Sequence, residues 1–182
     1  AAPIPLLSLL KHPLCACGFP RGLLRNLVGV LEMACLRGPR PLGRIEGLRA
    51  ALETARAHKN WSVDAQVDDQ LDQLLDRLHE ALSILFDLVE KEEASLDQFI
   101  EAHIQCAERL AREDTEELGA ERLWHGDAGE TAARFTRELL DNAAEAPALQ
   151  GMQYAALFSA LMAERVVRPR FGLHPRLFIW GP

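Results

Sequence analysis

Four arginines near the C terminus are the residues best suited to bind a ligand. Arg165, Arg168, Arg170 and Arg176 share, with His174, a stretch that contains no acidic residue. A guanidinium group offers a planar fork of N–H donors that matches the oxygens of a phosphate. The pattern therefore indicates contact with a DNA backbone or with a neighbouring domain. The alternative is a solvated linker, or arginines that pair with acidic residues elsewhere in the chain.

A second basic group lies closer to the N terminus and consists of Arg21, Arg25, Arg37, Arg40 and Arg44. Residues 1–60 carry a net charge of +6 and residues 165–182 carry +4, whereas residues 61–164 carry −17. An acidic centre repels a phosphate backbone, so any nucleic-acid contact belongs to the two ends. The last three arginines of this group are the candidates for such contacts. We expect the acidic centre to be a solvated surface, with docking to a basic partner as the alternative.

His12, Cys15 and Cys17 place three possible metal ligands within six residues. A structural zinc site needs four ligands, and its cysteines usually come in pairs. No second pair follows at a suitable distance, so we expect loop and core cysteines and no metal site. The irregular spacing of all four cysteines is typical of free thiols in a reducing compartment.

His125 and Asp127 are the most plausible catalytic pair, with Glu121 and Glu130 close in sequence. A general base oriented by a carboxylate needs partners of this kind. No serine or cysteine nucleophile lies nearby in the sequence, and one histidine in a loop is a weak signal. We therefore expect no catalytic residue and predict that Asp127 caps the following helix. A small helical enzyme that uses His125 and Asp127 remains an alternative.

The element that must position these residues is a long helix, predicted from Asp64 to Glu90. Apolar residues recur there at steps of three and four, which places them on one stripe of an α-helix. The stripe consists of Val67, Leu71, Leu74, Leu78, Leu82, Leu85 and Val89. The opposite face is mainly acidic. We expect this helix to be the structural spine of the molecule.

The same period predicts shorter helices on both sides of the spine. They cover residues 3–10, 22–36, 43–58, 96–112, 120–124, 127–144 and 152–166. Ser95 and Gln98 have the spacing of a capping box, and we expect Met33 and Met162 to face the core. Leu177–Trp180 is wholly apolar and predicts a single buried strand. The predicted fold class is all-α, with seven or eight helices and this C-terminal strand.

The sequence also lacks several signals. No apolar run approaches the length of a membrane span, and no signal-peptide pattern is found. We therefore expect a cytoplasmic protein without a membrane partner. A phosphate-binding loop of the form G-x-x-x-x-G-K-[ST] is absent, and so is an Asp followed by a Glu-x-Lys trio. We expect no cofactor and no ATP hydrolysis in these residues.

Three stretches, PIPLLSLLKHPL, GAERLWHGDAGE and VRPRFGLHPRLFIWGP, resemble the B subunits of AddAB-type bacterial helicase–nucleases in their alphaproteobacterial form. HPRLFIWGP is the most specific part. The resemblance covers essentially the whole chain, as an internal segment of a much longer protein. It implies that residues 1–168 form a helical insertion domain. Residues 169–182 would be the linker and strand that return to the second, RecA-like motor domain.

The resemblance also implies a biological setting. The parent protein would be an ATP-dependent helicase/exonuclease subunit that acts in double-strand break repair and recombination. Its ATP-binding loop and nuclease carboxylates would lie outside residues 1–182, so ATP and Mg²⁺ belong to the parent complex. The expected partners are the rest of the parent chain, the A subunit and DNA, and Ala1 should lie near Leu177–Trp180. A free-standing helical protein-interaction module is the alternative.

Overall fold

A computed structural model describes residues 2–113 and 119–167. Within these ranges the chain forms eight α-helices and no β-strand, which confirms the predicted all-α class. The predicted strand Leu177–Trp180 lies outside the described residues. So does the predicted proximity of the two chain ends, which stays a prediction.

The helices follow the predicted order, and most ends differ from the prediction by one to three residues. They are α1 Pro3–Leu10, α2 Arg21–Leu31, α3 Arg44–Arg56, α4 Ala65–Val89, α5 Leu96–Ala111, α6 Gly119–Leu123, α7 Gly126–Asp141 and α8 Gly151–Ala163. A π-helical turn, Glu32–Leu36, continues α2, and a 3₁₀ turn, Ala143–Glu145, follows α7. None of the described helices is long and apolar enough to cross a membrane.

The predicted spine corresponds to α4. The Asp64 carboxylate accepts a hydrogen bond from the Gln66 N–H at 2.9 Å and so caps the helix. Leu71, Leu74 and Leu78 on the predicted stripe are fully buried. At the C-terminal end the prediction is wrong, because Val89 is 45% exposed and Leu88 is buried instead. Leu88 belongs to the cluster that the end of α4 forms with α5, the 3₁₀ turn and α8, and Val89, the last residue of the helix, does not.

The buried residues form two clusters along α4 and α5. The first cluster combines α1, the 15–19 loop, α2, α3 and the first half of α4. The second combines the end of α4 with α5, the 3₁₀ turn and α8. Ala94 and Leu149 join the loops before α5 and α8 through two backbone hydrogen bonds of 2.9 and 2.8 Å. At the start of α5 the predicted capping box is confirmed, with the Ser95 N–H donating to Gln98 Oε1 at 3.2 Å.

Two methionines predicted to face the core are exposed. Met33 is 63% exposed because it lies two residues after the buried Leu31 and therefore on the opposite side of the helix. Met162 is 41% exposed because α8 is buried only near its start, at Gly151 and Tyr154. In both cases the helix was predicted correctly and its buried face was not.

Candidate functional site

The first candidate arginine of the N-terminal group, Arg37, is already paired. Its Nη2 lies 3.1 Å from Glu32 Oε1, and the same carboxylate accepts a hydrogen bond from Lys11 Nζ at 2.5 Å. These hydrogen bonds lower the pKa of Glu32, and the one from Lys11 is the larger cause. All three side chains join the end of α1 to the π-helical turn after α2. Arg40 is exposed in the loop before α3.

Arg44, the third candidate of this group, holds two helices together. It begins α3, forms an ion pair with Glu90 at the end of α4, and its guanidinium carbon lies 5.4 Å from the centre of the Phe86 ring. A cation over an aromatic face is attracted by the ring. Arg44 contacts Glu90 and Phe86 in the structure. Whether it also contacts phosphate stays a prediction.

Arg165 is the only C-terminal candidate among the described residues. Its Nη2 lies 2.8 Å from Glu138 Oε2, and its guanidinium carbon lies 5.1 Å from the centre of the Phe135 ring, so it ties the end of α8 to α7. Arg168, Arg170 and Arg176 lie outside the described residues. Whether these four arginines contact phosphate is therefore still a prediction.

Several carboxylates of the acidic α4 face are bound by α3. Arg56 donates to Asp68 Oδ1 at 3.0 Å, to Asp72 Oδ2 at 2.8 Å and to Glu53 Oε1 at 2.7 Å. The hydrogen bond to Asp72 is the main cause that raises the pKa of Arg56 above its usual value. Arg49 adds a second bridge, to Asp76. Much of the acidic face beside α3 is thus structural, and the remainder faces solvent.

The catalytic alternative gains no geometric support. His125 precedes α7, and His125, Asp127 and Glu130 are all exposed. None of the cavities described below is lined by these three residues. The prediction that Asp127 caps α7 is wrong, because the helix starts one residue earlier, after His125, and Asp127 lies in its first turn.

Cys15 and Cys17 lie in a buried loop whose backbone is attached to the end of α5. The N–H groups of Ala16 and Cys17 both donate to the Leu110 carbonyl, at 2.8 and 2.9 Å. The two sulfur atoms are 3.5 Å apart, and their hydrogen bond lowers the pKa of Cys15 and raises that of Cys17. Among the described residues, no group of three or more His, Cys, Asp or Glu side chains could hold a metal ion.

A pair of basic cavities was not anticipated from the sequence. The smaller, of about 230 Å³, is lined by Arg77, Arg109 and Arg112 together with Glu80. Arg77 donates to the Gly18 carbonyl, and Arg109 donates to the Glu80 carbonyl at 2.8 Å. These guanidinium groups therefore already serve as clamps between α4, α5 and the 15–19 loop. The one signal in the sequence was Arg77, a cation on a face of α4 that is otherwise acidic.

The larger cavity, of about 470 Å³, lies where the end of α1 and the following loop meet α2. Lys11, His12, Arg21 and Arg25 line it, together with Cys15. None of the described residues that line it is acidic. The signal for it in the sequence is that α2 contains two arginines one turn apart and no carboxylate.

A half-buried histidine lies beside the second cluster. His103 on α5 makes a 2.8 Å hydrogen bond through Nδ1 with the hydroxyl of Tyr154 on α8. Burial lowers the pKa of His103 and raises that of Tyr154. The Phe158 ring lies 4.5 Å from the His103 ring. This pair is enclosed by aromatic side chains and serves to dock α8 on α5.

Comparisons with protein-family models, with curated proteins and with solved structures find no match for this chain. The class that the described residues define is an all-α helical domain with two basic cavities. Its function must therefore be inferred from its residues and from the sequence resemblance described above.

Proposed function

We propose that this chain is a non-catalytic helical part of an ATP-dependent helicase/exonuclease subunit that acts in double-strand break repair and recombination. The observation that carries the proposal is the resemblance of HPRLFIWGP, at residues 174–182, to the B subunits of AddAB-type enzymes. A compact set of helices is also what a helical insertion in a motor domain requires. In this role the segment shapes a DNA channel or supports the interface with the A subunit, and the parent complex supplies ATP and Mg²⁺.

In this proposal the arginines near the C terminus have two different roles. Arg165 holds α8 against α7 through Glu138 and Phe135. Arg168, Arg170 and Arg176 follow in a stretch without acid and supply the phosphate contacts. Arg37, Arg40 and Arg44 are the second group of candidates, of which Arg37 and Arg40 are exposed.

The gene itself offers the first test. We expect the reading frame to continue past the codon for Pro182 into a motor domain and a nuclease domain. We also expect the 182-residue chain alone to show no ATP hydrolysis and no DNA cleavage. A stop codon directly after Pro182, or ATP turnover by the isolated chain that a substitution at His125 abolishes, would contradict the proposal.

The second test measures DNA binding by the full complex at several salt concentrations. Replacing Arg165, Arg168, Arg170 and Arg176 by Gln should weaken binding to every DNA sequence equally and reduce the salt dependence, because fewer counterions are released. The matched control replaces Arg134 and Arg137, which are exposed on α7. An unchanged salt dependence in the fourfold variant would leave Arg168, Arg170 and Arg176 as a solvated linker and Arg165 as a contact between α8 and α7 only.

A further inference from the structure

The cavity between α1 and α2 has the charge of an anion-binding site. Four of the side chains that line it, Lys11, His12, Arg21 and Arg25, are basic or can donate a hydrogen bond. Lys11 is neutralised by its ion pair with Glu32. Arg21 and Arg25 have no such ion pair among the described residues, so the described lining of the cavity is net positive.

The side chains of Arg21 and Arg25 form no ion pair with a described residue, and the nearest carboxylate that the structure places at Arg21, that of Glu113, accepts a hydrogen bond from its backbone N–H at 3.4 Å. The Nε of Arg21 is shielded from solvent and has no hydrogen-bond partner among the described residues. Arg25, one helical turn further along α2, forms no ion pair with a described residue. Like charges four residues apart repel each other on a helix, and a buried donor without an acceptor destabilises the fold. An anion in the cavity would offset both effects.

His12 adds a directed donor to the same cavity. Its Nδ1 accepts a hydrogen bond from the Leu14 N–H at 3.2 Å. In a neutral imidazole the other nitrogen then carries the proton, so Nε2 is a hydrogen-bond donor. A volume of about 470 Å³ is in the range of small-molecule sites.

We propose that this cavity binds a phosphate group through Arg21, Arg25 and His12. The ligand class is a phosphate ester or a pyrophosphate, because paired guanidinium donors and a neutral imidazole donor match tetrahedral phosphate oxygens. The cavity beside Arg77 is the weaker candidate, since Arg77 and Arg109 already donate to backbone carbonyls. The proposal holds whether or not the chain belongs to a DNA-processing enzyme.

Calorimetric titration of the 182-residue chain with pyrophosphate at low salt tests the site. We expect saturable binding of one equivalent, and Arg25→Gln should weaken it by about tenfold or more, as the loss of a charge-assisted contact does. Arg25 is exposed, so the variant should keep its fold, which a thermal melt verifies. The matched control is Arg137→Gln, an exposed arginine on α7, which should change the dissociation constant by less than about twofold.

Two results would overturn the proposal. One is the absence of pyrophosphate binding to a folded chain, and the other is an equal loss of affinity in Arg25→Gln and Arg137→Gln, which indicates general surface charge. Oligonucleotides with a 5′-phosphate or a 5′-hydroxyl then separate the two sources of phosphate. A preference for the 5′-phosphate that depends on Arg25 assigns the site to a DNA end, whereas equal binding of both assigns it to a small phosphorylated molecule.

Discussion

At the scale of single residues, arginine side chains join the helices of this protein. Arg44 and Arg165 each combine an ion pair with a position over a phenylalanine ring. Arg77 does the same with a carbonyl oxygen and the Phe19 ring, whose centre lies 4.1 Å away. The planar guanidinium can bind oxygen at its edge while its face lies on an aromatic ring. Arg21 and Arg25 form no such contact with a described residue, and they are the arginines for which we propose a ligand.

We expect Arg56→Gln to destabilise the fold by about 1–3 kcal/mol, because it leaves Asp68 and Asp72 next to each other without their shared cation. The side chain of Arg56 is only 18% exposed, so solvent screens these bonds incompletely. The matched control is Arg49→Gln, whose more exposed pair with Asp76 should contribute about 0–1 kcal/mol. Urea unfolding at neutral pH measures both values. Equal losses in the two variants would mean that Arg56 is no more than a surface ion pair.

His103 should make the stability of the protein depend on pH. Burial lowers its pKa in the folded state, so the unfolded state binds a proton more readily. Stability should therefore fall as the pH drops below about 6.5, the usual pKa of an unfolded histidine, by at most about 1.4 kcal/mol per pH unit. Urea unfolding at pH 7.5 and 5.5 compares the protein with its His103→Gln variant. A pH-dependent loss of the same size in the variant would show that other groups cause it.

At the scale of elements, α4 takes part in both clusters. Its first half buries Leu71, Leu74 and Leu78 against α2 and α3. Its last turn buries Leu88 with α5. Leu74, Leu78, Ala81 and Leu88 follow one another at steps of four, three and seven residues, so the buried stripe ends on Leu88, whereas the predicted stripe ends on Val89.

This difference at the end of α4 gives a paired prediction along the stripe. Leu78→Ala should lower the free energy of unfolding by about 2–5 kcal/mol, because it opens a cavity where the side chain is fully buried. Val89→Ala should cost less than about 1 kcal/mol, since Val89 is half exposed at the helix end. Both residues belong to the same predicted stripe. Denaturant unfolding measures both losses of free energy. Similar values would mean that Val89 is buried as the predicted stripe requires, in contradiction to the structure.

At the scale of the whole molecule, stability is distributed unevenly among the helices. The middle of α4 and of α5 belongs to the interior, where both clusters meet. The last helix, α8, buries only Gly151 and Tyr154 and depends on the aromatic contacts of Tyr154 and Phe158. Segments with few buried contacts open at a lower free energy than the core does.

Amide hydrogen exchange should therefore separate α8 from the spine. We expect the amides of the second half of α8 to exchange at least about tenfold faster than those of residues 71–81 in α4, a difference of about 1.4 kcal/mol or more in opening free energy. Tyr154→Leu should widen the difference, because it removes the hydrogen bond to His103. Equal protection in both helices would indicate that the molecule opens as one unit.

Most of the secondary structure was determined by the sequence itself, because its causes are local. The apolar period, Pro3 at the start of α1, the Asp64 cap and the pairing of Ser95 with Gln98 act within one or two helical turns. They predicted the number of helices and most of their ends. At the start of α7 the cap position is occupied by His125 and not by Asp127, and Gly126, the first residue of the helix, has a positive φ of 73°.

Only the tertiary structure decided which faces are buried and which charges are paired. Met33, Val89 and Met162 lie on predicted apolar faces and are exposed, because burial depends on where a neighbouring helix lies. The arginines could be chosen as candidates from the sequence because of their residue type. Their partners could not, since Arg44 pairs with Glu90, 46 positions further along the chain. Such contacts follow from helix packing, which no local period encodes. For the same reason the cavity at Arg21 and Arg25 became visible only once α1 was placed against α2.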